Sequence, residues 1–296
     1  MKKESLPLKS EFLPLIVKQL SNSKFYLFAS AVAATALYVI WLDRLLESTD
    51  SNLVMITIML GCMLLYSLWQ RRGEIKLESG MAATVVGIGL ISLVLIKSFT
   101  LFWFEYEFFK LVPLLLFFGI ALIASGFKGL IQYWRELVIV CVISLPLSII
   151  EILIDRYLKF SVITTKFSAF LMWYFGINLE TKGTLIVLSD GAVNVFPACT
   201  GLSVMLLMLM ISVGLMLVFP LELKRKLYLL GLSLGIGFFM GVIRVAWLAL
   251  VVSDRPAFEY WHGAEGAGIF STTTVVVFGI LCQKIIENNP KKLEQC

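Results

Sequence analysis

The sequence predicts an all-α integral membrane protein of about eight transmembrane helices, and three observations carry that prediction. Apolar residues make up 59% of the chain, whereas a water-soluble globule carries roughly half or less. Mean hydropathy is +0.91. Apolar runs near the ~20 residues that a hydrocarbon core requires recur along the whole length. They contain Gly and Pro and lack strand-like alternation, which favours a helical bundle over a lipid-facing barrel.

Taken in order, residues 1–24 are polar, carry five lysines and have no small-residue cleavage site after a short apolar core, so they are expected to be a cytosolic leader rather than a removable signal. Residues 25–296 are expected to form a single polytopic membrane domain. Its spans are predicted at about 25–42, 53–69, 80–97, 108–127, 136–155, 199–219, 227–252 and 264–286. An even number of spans puts both termini on one side. Sixteen of the 25 lysines and arginines fall on that side and eight on the other, with Arg244 inside a span. The asymmetry predicts cytosolic termini. The net charge of +5 therefore reports orientation and gives no sign of a nucleic-acid partner.

The same counting places the long stretch from about 156 to 198 on the outer side. Tyr157 to Phe175 has apolar residues at near-helical spacing with a few lysines, as a short extracytoplasmic helix on the membrane surface would. Thr184–Leu188 and Ala192–Val195 are β-prone runs around Asp190-Gly191, the pattern of a short hairpin between spans 5 and 6.

Cysteines stand at 62, 141, 199, 282 and 296. No CxxC pair or histidine cluster suggests a metal, and no motif calls for a cofactor. Cys62, Cys141 and Cys282 lie in apolar runs, where a free cysteine is ordinarily a small hydrophobe. Cys199 differs. It sits in Phe196-Pro197-Ala198-Cys199-Thr200-Gly201, and Pro197 suits the first turn of a helix. Unpaired amides and the helix dipole at such a position favour a thiolate.

Arg244 is the one arginine well inside an apolar span, and a guanidinium in hydrocarbon costs ~2.5–3.5 kcal/mol or more unless it is paired or reaches water. It lies about 17 residues past the predicted start of span 7, roughly 25 Å up at ~1.5 Å per residue, at the level expected for Cys199. Gly237, Gly241 and Arg244 share a helical face, so the guanidinium is expected to point into the bundle, snorkelling to the interface being the alternative. His262, the one histidine, follows the interfacial pair Tyr260-Trp261 on the same outer side. A nucleophile, a titratable base and a fixed cation from separate segments at one level are the parts of a cysteine acyl-transfer site. Thr200 and Ser203 adjoin the cysteine and suit interhelical hydrogen bonding. Glu151, Asp155, Asp190 and Asn194 suit a groove lining or local turn caps.

With these residues assembled, the chain resembles the exosortase/archaeosortase family of membrane-embedded cysteine transpeptidases, in particular the cyanobacterial-type exosortases. The matching residues are Ala198-Cys199-Thr200-Gly201, Val242-Ile243-Arg244-Val245, and His262 with Gly266 and Phe270. Many family members have an asparagine three residues before the arginine, where this chain has Gly241. The resemblance implies a catalytic core at about 136–286 with Cys199, Arg244 and His262 as catalytic residues. It implies a plasma-membrane protein-sorting peptidase that cleaves membrane-inserted C-terminal sorting signals of the PEP-CTERM type on exported proteins, with an envelope polysaccharide or lipid as acceptor. Two other readings use the same residues: a rhomboid-like serine protease built on Ser203 and His262, and a non-enzymatic transporter or assembly subunit.

Overall fold

The computed structural model describes residues 23–47, 51–100 and 106–287. The expected leader at 1–24 falls almost wholly outside them, as does Cys296. The described residues are dominated by helices. Three, Lys110–Ile143, Leu223–Leu250 and Ala264–Glu287, are long and apolar enough to cross a membrane. Ser30–Trp41, Val54–Gln70, Met81–Lys97 and Leu202–Val218 are shorter apolar helical segments. The chain divides into two compact units, Met1–Arg44 with Gln70–Ser144, and Leu45–Trp69 with Leu145–Cys296.

In chain order the helices begin with α1 (Ser23–Glu47) and α2 (Ser51–Gln70). The first unit is built on α3 (Met81–Thr100) and α4 (Tyr106–Gly129), followed by a 3-10 turn (Leu130–Tyr133) and α5 (Trp134–Ile143). α3 and α4 touch at Gly87, where a β-carbon would meet the Gly119 carbonyl at 2.6 Å, so the two backbones run in direct contact. The turn after α2 is tied down by polar bonds. Arg71 Nη1 reaches Glu136 Oε1 at 3.3 Å, Arg71 Nη2 donates to the Gln132 carbonyl at 3.0 Å, and Ser125 Oγ donates to the Lys76 carbonyl at 2.7 Å. Glu136 is fully buried, so Arg71 supplies both its counter-charge and its hydrogen bonds.

The second unit contains α6 (Leu147–Leu158), α7 (Phe160–Tyr174), three strands, α8 (Leu202–Val218), α9 (Leu223–Leu250), α10 (Arg255–His262) and α11 (Ala264–Glu287). The expected span at 136–155 is not one helix. α5 stops at Ile143 and α6 starts after Pro146, because proline lacks an amide donor and excludes the residue before it from helical geometry. α6 and α7 meet at Lys159 in the left-handed region (φ 51°), and Asp155 Oδ1 accepts from both the amide and the hydroxyl of Ser161 at 2.7 Å, closing that corner.

α7 covers most of the stretch 157–175 expected to be a surface helix. It packs along α9: Ser168 Oγ donates to the Val242 carbonyl at 3.0 Å, and Phe167 meets Phe238 edge-on at 5.2 Å. Ser161, Thr165 and Ser168 are buried, and their small side chains let the helix sit close to its neighbours.

The predicted hairpin is present as β2 (Leu185–Leu188) and β3 (Gly191–Asn194), with a strand that the sequence pattern does not reveal, β1 (Leu179–Lys182), completing an antiparallel β1-β2-β3 sheet. Gly183 between β1 and β2 has φ +66°, which glycine adopts without a Cβ clash. Ile186, Val193 and Val195 turn inward onto Met172, Val245, Ala246 and Ala249, so the sheet sits on the C-terminal end of α9.

A direct backbone contact joins the start of α8 to α9. A β-carbon on Gly201 would meet Gly241 Cα at 2.5 Å, and one on Gly241 would overlap the Thr200 carbonyl oxygen. Replacing Gly241 by Ala therefore forces two backbones apart. It should destabilise the fold by about 3 kcal/mol and lower the unfolding temperature in detergent. Gly231→Ala on the same helix, facing open space, should hold it or raise it slightly.

Candidate active site

Cys199 lies in a 3-10 turn, Pro197–Cys199, ahead of α8 rather than inside its first turn. Gly201 is the reason. It takes φ 78°, ψ 5°, a left-handed conformation that interrupts the helix the apolar run predicts. The turn is closed by Cys199 N donating to the Phe196 carbonyl at 2.8 Å and by Thr200 Oγ1 donating to the Pro197 carbonyl at 2.7 Å. Thr200 is fully buried and also accepts from Leu202 N at 3.3 Å, so it shapes the turn and is not free to react. Cys199 itself is half-buried.

His262, expected in a loop, is instead the last residue of α10. Asp254 caps that helix, its Oδ1 accepting from Ala257 N at 3.2 Å, and Pro256 occupies the first turn. Asp254-Arg255-Pro256 is a helix-start signature, hidden in the sequence because the helix it opens is short and polar. α10 returns the chain along the end of α9. Trp261 meets Trp247 edge-on at 5.5 Å, and Gly266 at the start of α11 admits the Trp261 backbone.

That return brings the imidazole to the thiol. His262 Nε2 lies 3.6 Å from Cys199 Sγ, within hydrogen-bonding distance for sulfur. Arg244, one turn above Gly241 on α9, donates from Nη2 to the His262 carbonyl at 3.5 Å. Its Nε is buried with no hydrogen-bond partner among the described residues. Three residues from a 3-10 turn, a long helix and a short helix thus share one small volume, with His262 exposed at its outer edge.

Asp155 holds the α6–α7 corner, and Asn194 Oδ1 accepts from Thr184 Oγ1 at 2.8 Å. Ser203 stands in the first turn of α8, and no described hydrogen bond links it to His262. Gly241 is glycine because the Thr200–Gly201 backbone occupies the space a side chain would need, so no polar residue fits there without displacing the turn that carries Cys199.

The fold and site together define a helical membrane protein with a thiol–imidazole pair flanked by an arginine. The transmembrane exosortase family model matches residues 41–279, and the chain belongs to that family. No curated protein and no solved structure matches the chain.

The geometry makes a labelling prediction. A charged methanethiosulfonate added to the folded protein should modify Cys199 readily and Cys282, which is 4% exposed, only after denaturation. Peptide mass spectrometry reads both sites in one sample.

Proposed function

We propose that this exosortase-family protein is a protein-sorting cysteine peptidase and transpeptidase, in which Cys199 is the nucleophile, His262 the general base and acid, and Arg244 the oxyanion or substrate-orienting cation. The observation that supports this most directly is the 3.6 Å approach of Nε2 to Sγ, the nucleophile–base geometry that thiol catalysis requires.

In this reading His262 Nε2 takes the Cys199 proton as sulfur attacks the scissile carbonyl, and a C–S bond forms. The carbonyl oxygen gains negative charge, which the Arg244 guanidinium beside the pair would offset. Collapse breaks the C–N bond, and the proton held on His262 passes to the leaving amine. The thioacyl enzyme is then resolved by an acceptor, water or an envelope polysaccharide or lipid nucleophile, which gives its proton to His262 and releases the thiolate. No metal or cofactor is required at any step.

The substrates in this reading are exported proteins whose C-terminal sorting signal is a short motif, a membrane-inserted helix and a basic tail. Eight spans with both termini in the cytosol would put the site at the outer face of the plasma membrane. The basic tail would then lie beside the inner lysines and arginines. The His262 partner is the sulfur of Cys199, which favours the thiol reading over a rhomboid-like serine mechanism on Ser203.

The test is processing of a tagged substrate of this kind in cells. Cys199→Ala at normal expression should abolish cleavage, and Arg244→Ala should lower it about 10²-fold or more. Cleavage at the wild-type rate by Cys199→Ala would overturn the mechanism.

A further inference from the structure

We propose that Phe258 is the positioning residue of the site, holding the His262 ring in the plane from which Nε2 reaches Cys199; the proposal rests on reading Cys199 and His262 as the reacting pair. A catalytic imidazole ordinarily has its second nitrogen held by a carboxylate or amide, which sets the ring's orientation. Among the described residues Nδ1 of His262 has no such partner. The ring is stacked instead. The Phe258 and His262 ring centroids are 5.5 Å apart with planes inclined by 13°, an offset arrangement that aromatic rings favour. The two residues are one helical turn apart on α10 and so share a face.

Phe258 is itself anchored. Its amide donates to the Asp254 carbonyl at 2.8 Å, in the turn that Asp254 caps. Its side chain packs on the buried cluster that includes Ile186 and Val193 from the sheet and Val245 and Ala246 from α9. The sheet core thereby fixes Phe258, Phe258 fixes the plane of the imidazole, and contact with the thiol selects which ring edge faces inward. The His262 backbone is held independently by Arg244 through the carbonyl bond. Of the charged residues on the flanking elements, Arg244 on α9 meets the His262 carbonyl and not the ring, Glu259 on α10 is paired with Arg255 at 3.0 Å, and Glu265 lies in the first turn of α11. None of them replaces the stack as a restraint on ring tilt.

The experiment is the rate of Cys199 alkylation by iodoacetamide in the full-length detergent-solubilised protein, read by peptide mass spectrometry. It is run near neutral pH, where the thiol depends on its base, and at strongly alkaline pH, where it does not. The neutral-to-alkaline rate ratio within each variant removes differences in folded fraction. Phe258→Leu, which keeps an apolar anchor without a ring, should lower that ratio about threefold to tenfold. Phe258→Tyr, which keeps the ring, should hold it, and His262→Ala should lower it at least as far as Phe258→Leu. Phe258→Met replaces the leucine variant if that one does not fold. A wild-type ratio in Phe258→Leu alongside a lowered one in His262→Ala overturns the positioning role alone. An unchanged ratio in His262→Ala overturns the reacting pair and the proposal with it.

Discussion

The contact of Gly201 with Gly241 is the constraint on which the site depends. Two backbones can approach this closely only where neither carries a β-carbon. Their meeting fixes the height of the Cys199 turn against α9. Once that height is set, Arg244 lies one helical turn further along the same helix, beside the turn that carries the sulfur. The left-handed conformation of Gly201 adds a second effect. It ends the 3-10 turn before α8 begins, so Cys199 is presented on a short, self-bonded loop and not sealed in a helix interior.

The third participant arrives by a different route. α10 is too short to be stable by helix propensity alone. It is held by the Asp254 cap, by the Trp247–Trp261 and Trp261–Phe270 contacts, and by Phe258 against the sheet core. A three-stranded sheet of four-residue strands has little independent stability, but here its inner residues continue the apolar end of α9. The sheet and α10 together convert the end of a membrane helix into a platform for one imidazole. Arg244 serves the platform too, because its bond to the His262 carbonyl joins α9 to the end of α10.

The sequence is informative where physics is periodic and poor where it is local. Long apolar runs announce the helices, and counting residues along span 7 puts Arg244 at the depth of Cys199; in the structure each of the two meets His262. The Asp190-Gly191 pair announces the hairpin. Hydropathy, in contrast, averages across Pro146 and so merges α5 and α6 into one span. Leu179-Glu180-Thr181-Lys182 has three polar residues of four and is too short to be distinguished from a loop, so β1 leaves no signal. Nothing in the sequence marks Ser161, Thr165 and Ser168 as the buried small residues of α7. The resemblance leaves Gly241 as an unexplained departure, and only the backbone of Thr200 and Gly201 against it gives the reason. Phe258 has no signal in the sequence beyond its position one turn before His262.

The central claim is that the Cys199 sulfur carries the acyl group. The most direct measurement is mass spectrometry of the full-length protein quenched during turnover with an exported substrate bearing a C-terminal sorting signal. The account predicts a hydroxylamine-sensitive mass increment on the peptide containing Cys199, whose size identifies the cleaved bond. Substrate cleavage with an unmodified Cys199 peptide, or with an ester on Ser203, would contradict it.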